Sequence, residues 1–181
     1  MNPTDVVRTI LRTAPDALYV SSLGTATSAL RAASDDGPHL YMGGSMGSAL
    51  AAALGIAEKQ PSREVIAILG DGETLMGASS LWSMAGISPS NLLAVVLADG
   101  HYTITGGQQL GVPDVFGDVA TALGLATATA RTEEELAEHI ATLQRPGLLE
   151  VRYAERACPG PSPFVDPPIV RWRFEQVATQ R

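Results

Sequence analysis

The chain has 181 residues, 45% of them hydrophobic and 17% charged, which fits one compact α/β unit with a real core and excludes a disordered chain. Its formal net charge is −7 and Lys59 is its only lysine, so no nucleic-acid partner is expected. No apolar run approaches the roughly 18 residues of a membrane span, and the first twenty residues show no basic-then-apolar leader pattern, so no membrane partner and a cytoplasmic setting are expected.

The scarcity of lysine has a second consequence. An anionic ligand would have to be held by main-chain amides, helix N-termini or a metal ion. A lone cysteine, Cys158, allows no internal disulfide and reads as an incidental thiol.

In chain order, short apolar runs alternate with helical stretches, the pattern of a parallel sheet covered by helices on both faces, three layers in all. A first helix is expected over Val6–Arg12 and a strand over Ala17–Ser21. A second helix follows from Thr25 to Ala33, broken by Ser34-Asp35-Asp36-Gly37-Pro38, and then a weaker strand over Leu40–Met42. The run "MGSALAAALGIAEK" is apolar on nearly every side and predicts a buried helix. Strands follow at Glu64–Leu69, Leu92–Leu97, Leu125–Ala128 and Leu148–Tyr153. "TEEELAEHIATL" opens with Thr132 and Glu135 as a capping box and sets Leu136, Ile140 and Leu143 on one face; His139 lies off that stripe and reads as a surface histidine. Asp99–Pro113 is a long Gly-rich loop past a strand's carboxyl end, where open α/β sheets bind ligands. From about residue 155 the chain is Pro-rich; Cys158–Pro168 holds five prolines and is expected to run extended over a surface.

The stretch "VIAILGDGETLMGASSLW" carries the most chemistry. A buried strand ends in Gly70-Asp71-Gly72, and a helix of small residues starts at once. The spacing to Gly77 fails the dinucleotide fingerprint, and no Gly-Lys-Ser/Thr makes a phosphate loop. Two readings remain: a tight turn in which Asp71 caps the helix, or a carboxylate that shares a divalent metal with a diphosphate. The second needs another oxygen ligand from a neighbouring strand end. After "LLAVVLAD", Ala98-Asp99-Gly100-His101 supplies one, with twenty-five residues between Gly72 and Ala98.

That Gly-Asp-Gly, its gap and the following "HYTITGGQ" resemble the thiamine diphosphate enzymes, in the domain that binds the cofactor's diphosphate. The resemblance implies Mg²⁺ held by Asp71, Asp99 and the main-chain carbonyl of His101, with Asp99 standing where the family has Asn. Aspartate is an adequate hard-oxygen ligand, although it adds negative charge beside a diphosphate. In "YMGGSMGSALAAALGIA" the family's Gly-Ser-apolar-Gly falls on Gly44, Ser45, Met46 and Gly47. Read alone, Met46 is a core methionine; the resemblance makes it the prop beneath the cofactor's two rings, with Gly44 offering its carbonyl and Ser45 nearby. Gly70, Gly72, Glu73 and Thr74 would lie beside the diphosphate. His101 and Tyr102 would handle protons, and Gln108 is a candidate contact for substrate or partner.

Within the family the chain most resembles phosphonopyruvate and sulfopyruvate decarboxylases, through "LYMGGSMG", "GDGETLMG", "TGGQ" and "PGPSPF" in matching order. It departs from them in "GTATSAL", where Ser28 and Ala29 replace an Arg-Glu pair, so a different 2-oxo acid is a possible substrate. The family's catalytic glutamate belongs to a second, pyrimidine-binding domain, which 181 residues leave no room for. The resemblance therefore implies a β-type subunit completed by a separate α-type subunit, as an α2β2 or larger assembly, that decarboxylates a small 2-oxo acid. Carboligation by the same cofactor, or a subunit that merely holds the cofactor, stands beside it as an alternative.

Overall fold

A computed structural model describes the whole chain except residues 114, 154, 156–159, 163, 180 and 181; Cys158 thus lies outside the described residues. Six strands form one parallel sheet: β1 (Leu18–Ser21), β2 (Leu40–Tyr41), β3 (Val65–Gly70), β4 (Leu92–Ala98), β7 (Ala126–Ala130) and β8 (Gly147–Arg152). Their order is β2-β1-β3-β4-β8-β7. The central pair β3 and β4 runs in register from Val65 opposite Leu92 to Gly70 opposite Leu97. Both strands are apolar at nearly every position because each is covered above and below, as buried parallel strands require.

Side chains alternate across the sheet, so the two faces build separate cores. On one face Val65, Ala67 and Leu69 with Leu92, Ala94 and Val96 meet Leu50, Ala53 and Leu54 of α3 (Ala49–Lys59), Leu81 and Met84 of α5 (Ser79–Ile87), and Phe116 and Ala120 of α6 (Phe116–Ala122). On the other, Ile66, Ile68, Leu93 and Val95 meet α1 (Pro3–Thr13), α2 (Gly24–Ser34) and α7 (Glu133–Thr142). This is the expected three-layer arrangement.

The differences from the sequence reading lie in short elements and at the end. The Gly-rich loop contains a two-stranded antiparallel hairpin, β5 (His101–Tyr102) with β6 (Gln108–Gln109). Helix α3 starts at Ala49 rather than Met46, since Gly47 sits at φ +87°, outside helical space. Thr132 caps α7 as expected, accepting from the Glu135 N–H, but the Glu135 carboxylate reaches the Arg131 N–H instead of completing the box.

Among the described residues of the Pro-rich segment, Gly160 packs against the main chain of Ser28, and the Arg31 guanidinium donates to the Ser162 carbonyl. It then ends in a helix the reading omitted, α8 (Pro167–Ala178). Pro167 and Pro168 occupy the first helical turn, where no intrahelical N–H is needed, so they start the helix rather than prevent it. Helix α8 lies beside the short edge strand β2, with Val170 in one core and Phe174 in the other. Its last carbonyls are tied down by Gln60 (to Ala178, 2.9 Å) and Arg63 (to Val177, 3.2 Å).

Candidate functional site

After β1 the chain turns outward to β2; after β2 it crosses back to β3. This change of direction opens a crevice at the carboxyl ends of β1 and β3, the place where open α/β sheets put ligands. A cavity of about 300 Å³ lies there. It collects Gly44, Met46, Gly70, Asp71, Gly72, Glu73, Asp99, His101 and Tyr102 of the predicted site residues. Ser45 is exposed and Thr74 buried; neither lines the cavity, and Gln108 is likewise outside its wall. The Thr74 hydroxyl donates to the Gly70 carbonyl (2.8 Å), closing the first turn of α4 (Asp71–Met76) instead of facing the cavity. Ser28 and Ala29 are not in the wall: Ser28 sits under Gly160, and Ala29 is fully buried in the core of α2.

Asp71 is 3% exposed and leads α4 directly off β3. One carboxylate oxygen accepts from the Gly72 N–H (2.7 Å); the other accepts from the N–H groups of Asp99 (3.1 Å) and Gly100 (2.5 Å), past the end of β4. Burial pushes its pKa up, the Gly100 and Gly72 amides pull it back, and the neighbouring Asp99 charge pushes it up again. Asp99 in turn accepts from the His101 N–H (2.9 Å), and the His101 ring Nδ1 meets the Asp99 carbonyl (2.8 Å). Two carboxylates from adjacent strand ends therefore share a small volume, an arrangement that a divalent cation would relieve.

The residue types fit such an ion and a diphosphate. Asp71 and Asp99 are hard oxygen donors of the kind Mg²⁺ takes, although no cluster of three or more His, Cys, Asp or Glu occurs among the described residues. The main chain at Gly44 and Gly70 faces open space where a side chain would stand, leaving room for a ligand.

Gly72 serves a different purpose from the one its sequence context suggested. Its φ is not positive, and Gly70 lies at φ −85°, so the pair is not needed for unusual dihedrals. A Cβ on Gly72 would instead stand 2.5 Å from the Tyr102 ring and 3.4 Å from the end of Met46. Gly72 is the floor on which Tyr102 and Met46 meet.

Sequence reasoning missed much of the remaining wall: Leu23, Thr25, Ile104, Tyr153 and Phe164. Thr25 and Thr103 share a hydrogen bond of 3.0 Å that joins the start of α2 to the loop after β5. The only local signal for this was the polar Thr-rich run on each side.

Comparison with known proteins agrees with this geometry. Residues 23–151 match the family described as thiamine pyrophosphate enzyme, C-terminal TPP binding domain. The phosphonopyruvate decarboxylase of Streptomyces viridochromogenes is 37% identical over 129 residues, covering 70% of this chain and 32% of that protein. The sulfopyruvate decarboxylase subunit beta of Methanocaldococcus jannaschii is 31% identical over 134 residues, 72% of this chain and 71% of that subunit. Among solved structures, the thiamine diphosphate-dependent 4-hydroxybenzoylformate decarboxylase of Rhodococcus jostii RHA1 superposes with a TM-score of 0.69 at 23% identity, over 87% of this chain and 33% of that one, a likeness of fold. The chain thus spans about a third of the phosphonopyruvate decarboxylase and most of the beta subunit. Sheet order, cavity, motif residues and family match converge: the chain belongs to the thiamine pyrophosphate enzymes, as a C-terminal TPP-binding domain.

Proposed function

We propose that residues 1–181 act as one diphosphate-binding unit of a thiamine diphosphate- and Mg²⁺-dependent 2-oxo acid decarboxylase. The observation that carries the reading is the junction of Asp71 and Asp99 at the ends of β3 and β4, inside a cavity that also holds Met46. Asp71, Asp99 and the His101 carbonyl would hold the metal, and Gly70 and Gly72 would lie along the diphosphate. Gly44 and Met46 would hold the ring end. When bound, the cofactor supplies the electron sink that lets a 2-oxo acid lose CO₂.

The chain's own part is to position, to exclude water and to handle a proton, the last through His101 or Tyr102 at the cavity wall. Leu23, Ile104 and Phe164 give part of that wall an apolar surface suited to an uncharged R group. A separate α-type, pyrimidine-binding chain would bring the catalytic glutamate, in an α2β2 assembly placed in the cytoplasm. Relatives named as beta subunits support that division. No helix among the described residues is long and apolar enough to cross a membrane.

The test is thermal unfolding of the chain, alone and with its co-purified partner, against thiamine diphosphate and Mg²⁺. Ligand at about a hundred times its Kd adds roughly 2.7 kcal/mol, which raises Tm by about 5–10 °C in a domain of this size. Asp71→Ala should lose most of that shift. A wild-type Tm indifferent to thiamine diphosphate and Mg²⁺ in both settings would refute the proposal.

A further inference from the structure

Glu73 has no place in the metal or diphosphate contacts just described, yet it is 6% exposed and lines the same cavity. The sequence reading sets it beside the diphosphate; in the structure its carboxylate turns to the loop that carries Met46. One oxygen accepts from the Ser22 hydroxyl (2.6 Å) and from the Gly47 N–H (2.6 Å). The other accepts from the Ala49 N–H (3.2 Å).

The Ala49 N–H is one of the orphan donors at the start of α3, and the Gly47 N–H lies just before the capping residue Ser48. The local capping residue does not serve them: the Ser48 hydroxyl is turned back to the Ser45 carbonyl (2.5 Å), and α3 has no side-chain cap of its own. A carboxylate from α4 therefore caps α3 from outside, at the positive end of its dipole. The same two elements touch at Gly47 and Gly77, where a Cβ on Gly77 would come within 2.9 Å of the Gly47 carbonyl carbon. Ser22 adds a third element, the end of β1, and behind it Ser21 and Thr27 share a buried hydrogen bond of 2.8 Å.

Helix α4 thus carries three consecutive residues with separate duties. Asp71 faces the end of β4, Gly72 lies between Tyr102 and Met46, and Glu73 grips the loop from Gly43 to Ser48. We propose that Glu73 is a positioning residue that clamps the Met46 loop to the helix bearing Asp71, and so fixes the distance between the ring end and the diphosphate end of the cavity. The proposal rests on the reading of this cavity as a thiamine diphosphate site. It departs from a purely structural role in one respect: the clamp sets the ring end relative to the diphosphate end, so its loss should discriminate between ligands that need both ends and ligands that need one.

The experiment uses the full chain with its co-purified partner, as wild type, Glu73→Gln and Glu73→Ala. Two probes are titrated in the presence of Mg²⁺: thiamine diphosphate, which spans both ends, and inorganic pyrophosphate, which reaches one. Amide hydrogen exchange is followed at Gly47 and Ala49, with β3 and β4 amides as internal reference. Glu73→Gln should speed exchange at Gly47 and Ala49 about tenfold, the loss expected when a charge-assisted bond becomes a poorer neutral one, with β3 and β4 unchanged. Thiamine diphosphate should bind about tenfold more weakly while pyrophosphate binds as before.

Equal weakening of both ligands, or unchanged exchange at Gly47 and Ala49 in Glu73→Ala, would overturn the clamp. A wild-type protein that binds pyrophosphate but not thiamine diphosphate would overturn it too. A wild-type protein that binds neither ligand would instead sink the cofactor reading on which the clamp depends. Exchange at the two amides would still report the Glu73 contacts, so the two failures are distinguishable.

Discussion

Replacing Gly77 by Ala should destabilise the protein although Gly77 has a negative φ, −94° with ψ 18°, in the bridge region that is open to alanine. The cost comes from space. The new Cβ would lie 2.9 Å from the Gly47 carbonyl carbon and 3.0 Å from its Cα, closer still to the carbonyl oxygen. Carbon atoms in contact normally stand about 3.5–4.0 Å apart. The obstacle is main chain on a segment already held by Glu73, so it cannot swing aside as a side-chain tip would. An overpacked contact of this kind costs about 1–3 kcal/mol, which in a chain of this length lowers Tm by roughly 2–12 °C.

Gly55→Ala in α3 is the matched control, because none of the described residues lies within 4 Å of its Cβ position. There alanine should gain about 0.5–1 kcal/mol from helix propensity alone, and Tm should rise by a few degrees. Thermal and urea unfolding followed by circular dichroism would read both. A Gly77→Ala protein as stable as wild type, or a Gly55→Ala protein that melts lower, would refute the steric argument.

Two further outcomes follow from single side chains. His39 stands edge-on to Tyr19 and Tyr41, with ring centroids 5.2 and 6.1 Å away, and its buried Nε2 has no hydrogen-bond partner among the described residues. Burial lowers its pKa from 6.5 to about 4. The unfolded chain therefore takes up a proton below pH 6.5 that the folded chain refuses, and stability falls as pH drops from 6.5 toward 4, by about 3 kcal/mol in total. Denaturant titrations across that window should show a shallower slope in His39→Phe, which keeps the aromatic contacts; an identical slope would contradict the assignment. The Asn91 amide nitrogen donates to the carbonyls of Ala57, Gln60 and Arg63, closing the corner between α3 and β3. Asn91→Ala removes all three bonds, leaving the Gln60 carbonyl only the Arg63 N–H (3.0 Å), and should cost about 1–3 kcal/mol in urea unfolding; a loss below half a kcal/mol would show that water replaces the amide.

The sheet was legible because its central strands are buried on both faces. "VIAIL" and "LLAVVLA" admit no polar residue, and that is visible without coordinates. Asp71 and Asp99 were legible for a related reason: each follows such a run immediately, and the spacing of the two runs could be counted. What could not be read were contacts made through space by ordinary-looking residues. Glu73 resembled a residue beside a ligand, and nothing local marks it as the cap of a helix that begins at Ala49. Gly72 resembled a turn glycine, whereas its missing side chain makes room for Tyr102, thirty residues later. Helix α8 was hidden by Pro167 and Pro168, which break a helix in its interior but favour its first turn.

That last helix also sets an order of events during synthesis. Strand β2 is an edge, and until α8 arrives its open side is a template for any extended chain nearby. The ribosome makes Arg152, the end of β8, well before Ala178, the end of α8. At about 5–20 residues per second, the intervening stretch takes on the order of one to five seconds. For that interval the nascent sheet can be whole in every strand and still unsealed along one side.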